Sequence, residues 1–128
     1  MGDVCGIGPE VVVRSLQDLR IREHCQPVVV GSPAYAEQIC SVHADLARPD
    51  LVRLTSPPET RLELEEVIAS ADSGFVCLEQ GSPVLNEAAL GTVSADAGDA
   101  AYRWLVTACR LAQLGIVDAI ATAPLNKE

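Results

Sequence analysis

Two short segments carry the residue types and spacings that could do chemistry. Gly2-Asp3-Val4-Cys5-Gly6-Ile7-Gly8-Pro9-Glu10 stands at one end of the sequence and Thr122-Ala123-Pro124-Leu125-Asn126-Lys127-Glu128 at the other. Both read as tight turns that leave a buried strand and open a helix. Gly6 and Gly8 permit positive φ and close backbone approach, and Pro9 suits a first helical position, where its missing N–H is not needed. Such a turn presents backbone N–H groups that can hold an anion or the edge of a cofactor. Asp3 sits at the mouth of this turn, placed either to meet substrate, cofactor or metal, or to bond local backbone N–H groups as turn aspartates do. Thr122 follows a strand end, where α/β proteins receive ligands, and equally fits a simple strand-end cap. Asn126 and Lys127 are placed to meet a negatively charged substrate, or to serve as a helix N-cap and a solvated lysine. The first turn lacks the G-x-G-x-x-G dinucleotide fingerprint, because Val11 occupies the third position after Gly8.

Other reactive side chains read as structural. Glu10 and Glu128 are helix-start acids, favoured there by the helix dipole, and Ser94 and Asp96 open a helix. Cys5, in the glycine turn, is either a thiol near a helix start or a passive turn residue, and Cys109 reads as a small core residue. The five cysteines (Cys5, Cys25, Cys40, Cys77, Cys109) are odd in number and widely spaced, with no zinc-type pairing; this argues for a reducing, cytosolic compartment. His24 and His43 lie outside any motif, and no Ser/His/Asp or Cys/His arrangement is readable. The net charge of −9, from 9 Lys+Arg against 18 Asp+Glu, argues against nucleic acid and anionic membrane as partners. No basic-then-apolar leader and no membrane-spanning apolar run is present.

These turns need a scaffold, and the sequence predicts an α/β one. With 48% hydrophobic residues and few aromatics, the core is built from Val, Leu, Ile and Ala, as in a mainly parallel sheet covered by helices. Helices are predicted over Pro9 to about Leu19, Ala34 to about Val42 (with Ser32 as cap and Pro33 at its first position), Arg61 to Ser70, and Ser94 to Leu114, the last closed by Gly115. Strands are predicted at Pro27–Val30, Leu51–Leu54, Phe75–Leu78 and Val117–Ala121, with a turn at Gly81-Ser82-Pro83. Val117–Ala121 is expected in the sheet interior and Ser94–Leu114 on one face. Alternating strands and helices give a layered domain over 1–128 with no internal boundary.

The two turns, together with Gly91-Thr92-Val93-Ser94-Ala95-Asp96-Ala97-Gly98 leading into a long helix, resemble the 4-hydroxythreonine-4-phosphate dehydrogenase family of vitamin B6 biosynthesis. The first turn is also similar to the start of isocitrate and isopropylmalate dehydrogenases, which share the broader fold. Where the family has Pro-Ala, this chain has Val4-Cys5. The resemblance covers the whole chain but only the N-terminal part of a family member, so it implies a truncated fold, a strand missing before Gly2, and no activity for the chain alone. It implies a cytoplasmic, homodimeric dehydrogenase that oxidises the secondary alcohol of 4-phosphohydroxy-L-threonine, followed by decarboxylation. NAD would accept the hydride, and a divalent cation (Zn, Mg or Co) would be held by ligands beyond this chain. A paralogous group acting on four-carbon sugar-acid phosphates (erythronate, threonate) is the alternative, and a non-catalytic domain with a binding or association role is another. The residues placed near substrate or cofactor are Asp3, Gly6, Gly8, Thr122, Asn126 and Lys127; none is assigned a catalytic or metal-binding role.

Overall fold

A computed structural model describes residues 1–72, 74–80 and 91–125. The predicted Gly81-Ser82-Pro83 turn, Asn126, Lys127 and Glu128 lie outside the described residues. The order of elements is α1 (Gly8–Gln17), α2 (Leu19–His24), β1 (Val28–Gly31), α3 (Pro33–Val42), β2 (Leu51–Leu54), α4 (Arg61–Ser70), β3 (Phe75–Glu79) and α5 (Ala95–Gln113).

The strands form a parallel sheet in the order β1-β3-β2. Val76 on β3 aligns with Val28 on one side and Val52 on the other, and Leu78 aligns with Val30 and Leu54. Side chains alternate between faces along each strand, so the two faces have separate cores. Val29, Phe75 and Cys77 meet Leu16 of α1, and Val13 of α1 joins Ala36 and Ile39 of α3. On the opposite face Val76 and Leu78 meet Leu64 of α4 and Leu111 of α5, while Val30 packs beside Trp104 and Ala100 of α5. The result is a helix–sheet–helix sandwich in which the central strand β3 is buried on both faces, as interior strands of parallel sheets are, while β2 is only half-buried and exposes Arg53.

Helix ends follow local chemistry. Thr60 caps α4, its hydroxyl accepting from the Glu63 N–H at 3.2 Å, while the Glu63 carboxylate accepts from the Glu59 N–H at 2.8 Å. Ser94 caps α5 through the Ala97 N–H, and Gly115 follows that helix at φ +68°, a left-handed turn suited to glycine. Ser32 occupies the N-cap of α3, but its side chain makes no capping bond. Helix α1 stops at Gln17, short of the predicted Leu19, because Asp18 caps a separate short helix: its carboxylate accepts from the Arg20 N–H at 3.0 Å. That helix brings the Arg22 guanidinium over the Phe75 ring, 4.2 Å from its centre.

Val117–Ala121 departs from expectation. It is not a strand; after Gly115 the chain bends through 116–118 and runs on without regular structure. Val117 is half-buried against the Leu64–Leu111 cluster, but 118–122 are exposed. The segment is fastened at its start instead, where the Arg61 guanidinium donates to the Gly115 carbonyl at 2.9 Å and pairs with Asp118 at 2.7 Å. An apolar stretch becomes a strand only if its N–H and C=O groups find a ladder, and among the described residues none lies beside this one.

Candidate functional site at the two turns

The first turn is folded around Asp3. Its carboxylate accepts the Cys5 N–H at 2.9 Å and its carbonyl accepts the Gly6 N–H at 3.3 Å, so the local-bonding role foreseen for this aspartate is present. The Asp3 N–H points away from the turn and donates to the Pro124 carbonyl at 3.0 Å. That bond joins the two segments that lie farthest apart in sequence, beside Val30 and Gly31 at the carboxyl end of β1. The expected closeness of the two turns is therefore met at Asp3 and Pro124; Asn126 and Lys127 lie outside the described residues.

The three glycines of the first turn do different things. A Cβ on Gly8 would lie 2.7 Å from the Met1 carbonyl oxygen and 2.9 Å from that of Asp3, and one on Gly2, at φ +76°, would lie 2.7 Å from the Pro124 carbonyl oxygen. Both close approaches are used by the protein's own backbone, so Gly2 and Gly8 build the turn. At Gly6 a Cβ would meet, among the described residues, nothing nearer than an Asp3 carboxylate oxygen at 3.5 Å, so among them this is the glycine with a free face. Ile7 is the N-cap of α1 and offers no side-chain cap. Thr122 is exposed and Asp3 half-buried.

Cys5 is a core residue, 2% exposed among Val4, Tyr35, Ala100 and Trp104. Burial first, and the adjacent Asp3 carboxylate second, push its thiol up, against the pull of a Thr92 hydrogen bond. A thiol held protonated is a poor nucleophile. Cys109, read as a core residue, is only half-buried, and Thr107 takes a buried place on α5, donating to the Gln80 side-chain oxygen at 2.6 Å. Helical spacing from Ala100, Trp104 and Leu111 includes Thr107, but a hydroxyl at a core position gives no apolar signal, and its partner comes from the end of β3.

A shallow cleft of about 230 Å³ opens beside the turns, lined by Asp3, Ser94, Tyr102, Leu105 and Leu125. It is smaller than the roughly 300–1,000 Å³ usual for small-molecule pockets. Of the foreseen site residues that are described, Asp3 alone lines it; Ser94, read as a helix-start residue, lines it too. A second cleft of about 260 Å³ lies between α3 and β2. Its Arg48 pairs with Glu37 at 2.6 Å, and its Arg53 approaches Glu37 and Glu79 at 3.6 and 3.7 Å, so its cations are already matched. Among the described residues no group of three or more His, Cys, Asp and Glu side chains could hold a metal ion. His24 contacts the Arg20 carbonyl at 2.8 Å and His43 lies 3.6 Å from the Glu10 carboxylate. No described helix is long and apolar enough to cross a membrane.

A parallel sheet between two helical layers, with the glycine-bearing first turn and the Pro124 segment at the carboxyl end of β1, places the molecule in the class of layered α/β proteins. The sequence pattern of pyridoxal phosphate biosynthetic protein PdxA matches residues 23–128, and the chain belongs to that family. It is 37% identical to a D-threonate 4-phosphate dehydrogenase of Bordetella bronchiseptica, over 99% of this chain and 34% of that protein. It is 36% identical to a 4-hydroxythreonine-4-phosphate dehydrogenase of Trichlorobacter lovleyi, over 100% of this chain and 35% of that protein. The crystal structure of a 4-hydroxythreonine-4-phosphate dehydrogenase from Burkholderia phymatum superposes with a TM-score of 0.80 at 35% identity, covering 99% of this chain and 35% of that one. The chain thus spans about a third of the length of these relatives.

Proposed function

We propose that this chain forms the N-terminal, turn-bearing part of a dehydrogenase that oxidises the secondary alcohol of a small phosphorylated hydroxy acid. The observation that carries this reading is the Asp3 N–H to Pro124 carbonyl bond at 3.0 Å. It sets Asp3, Gly6 and Thr122 on one edge of a parallel sheet, where such folds receive ligands. The uncapped start of α1 at Ile7 suits an anion such as the substrate's phosphate. Gly6, with its free face, fits the edge of a nicotinamide cofactor, which would supply the hydride acceptor. The described residues do not fit a divalent cation, so no step is assigned to one here. Decarboxylation of the resulting keto acid, a homodimeric site and a cytosolic setting complete the reading.

Two substrates are carried forward. The first is 4-phosphohydroxy-L-threonine. D-threonate 4-phosphate is the second, favoured by relatives from Bordetella bronchiseptica and Cupriavidus necator bearing that name at 37% and 38% identity. The test replaces the matching third of the Burkholderia phymatum protein with this chain and follows NAD reduction on each substrate. Turnover of one of them is expected from the chimera and none from the 128-residue chain alone. A chimera that folds and dimerises like its parent yet reduces NAD with neither substrate points to a non-catalytic domain and overturns the proposal.

A further inference from the structure

The first turn holds both walls of the cleft beside it. On one side the Asp3 N–H donates to the Pro124 carbonyl at 3.0 Å, next to Leu125 of the cleft. On the other the Cys5 carbonyl accepts the Gly91 N–H at 2.7 Å, three residues before Ser94. Gly91 makes that bond at φ +82°, in the left-handed region that glycine allows. Cys5 is engaged through its other groups too. Its N–H donates to the Asp3 carboxylate at 2.9 Å, and its thiol shares a hydrogen bond with the Thr92 side chain. Its side chain is buried in one cluster with Ala97, Ala100 and Trp104 of α5. Residues 91–93 are themselves exposed, and these two bonds to the first turn both end on buried Cys5.

We infer that Cys5 is a positioning residue: it fastens residues 91–94 to the first turn and so sets the spacing of Asp3 and Ser94, which face each other as lining residues of the cleft. An exposed stretch has little packing to fix its place. Bonds to a buried neighbour supply what packing does not, because the buried residue cannot move without disturbing the core around it. Val4-Cys5 stands where the family has Pro-Ala, so the tie through the thiol belongs to this chain's own sequence. A proline ring would fix one φ within the turn, whereas the thiol fixes the turn against the segment that leads into α5. The inference rests on the proposed function only in taking this cleft as part of the edge that receives ligand.

The test places Cys5→Ala, Cys5→Ser, Thr92→Val and the pair Cys5→Ala/Thr92→Val in this chain and in the Burkholderia phymatum chimera. In this chain, amide protection at Gly91 is expected to fall about tenfold in Cys5→Ala and in Thr92→Val while that of β3 is kept. The pair is expected to fall no further than Cys5→Ala, since both changes remove one bond, and Cys5→Ser to restore most of the protection. In the chimera, Cys5→Ala is expected to lower kcat/KM about tenfold and Cys5→Ser to recover most of it. Equal loss at Gly91 and β3, additive losses in the pair, or an unchanged kcat/KM would overturn the inference. A parent chimera without turnover would count against the proposed function instead, and the exchange results would then decide the role of Cys5 by themselves.

Discussion

Strand β3 and the segment Val117–Ala121 are similar in sequence and opposite in fate. Phe75-Val76-Cys77-Leu78 is at most 4% exposed, with β1 and β2 bonded on either side. Val117-Asp118-Ala119-Ile120-Ala121 is also a short, largely apolar run after a helix or turn, yet Ile120 is 40% exposed and nothing in the segment is laddered. The difference lies in neighbours rather than composition. A strand's backbone groups must be paired if they are to be buried, and its side chains are stabilised by what stands across the ladder. β3 has two partners and two helical layers; Val117–Ala121 has the Arg61 tie at its start and half-buried Val117.

The largest expected effect tests that contrast directly. Leu78→Ala removes a side chain that is 1% exposed between α4 and α5 and should cost about 2–5 kcal/mol in urea unfolding. Ile120→Ala should stay within about 0.5 kcal/mol. Comparable losses for the two would mean that 117–121 is packed as β3 is. Next in size is the first turn, which Asp3 ties to Pro124 just beyond Val117–Ala121. Gly8→Ala drives a Cβ to 2.7 Å from the Met1 carbonyl and should destabilise by about 1–3 kcal/mol. Gly6→Ala, whose new Cβ would lie at ordinary contact distance from Asp3, no nearer than 3.5 Å among the described residues, should be neutral or stabilise by up to about 1 kcal/mol. Thermal melts of the pair decide whether the free face at Gly6 is real.

The smallest effect is local and depends on pH. The hydrogen bond from Arg61 holds the Asp118 carboxyl below its ordinary value. A carboxyl lowered in the folded state contributes above the unfolded value, about 3.9, and loses that contribution as pH falls through the lower folded value. The protection factors of the amides over 115–118, taken against the intrinsic exchange rate at each pH, should therefore fall across that acid window while those of β3 are kept. Asp118→Asn should remove the pH response and leave the melting temperature unchanged; a response that persists in this variant would assign the tie to another group.

Much of this molecule was legible from residue types and spacing. The bounds of β2 and α4 match their predicted ranges, and α5 fills its predicted span with Ser94 and Leu114 as caps, because capping residues, prolines and apolar periodicity act within a few residues of where they sit. Asp18 as the start of α2 is a local signal too, masked by an apolar pattern that runs from α1 through Leu19. The local bonding of Asp3 is one of the two readings its place in the turn allowed, and the approach of the two turns was expected from sequence and is met at Asp3 and Pro124. What residues alone did not decide are matters of long-range partnership. They include the middle position of β3, the burial of Cys5, the Thr107–Gln80 bond, and the division of the glycines into two that admit the protein's own backbone and one that does not. The fate of Val117–Ala121 belongs with them. Helix caps and turns are chosen by chain neighbours, whereas strands and close approaches are chosen by whatever distant segment the fold sets beside them, and only the tertiary structure supplies that neighbour.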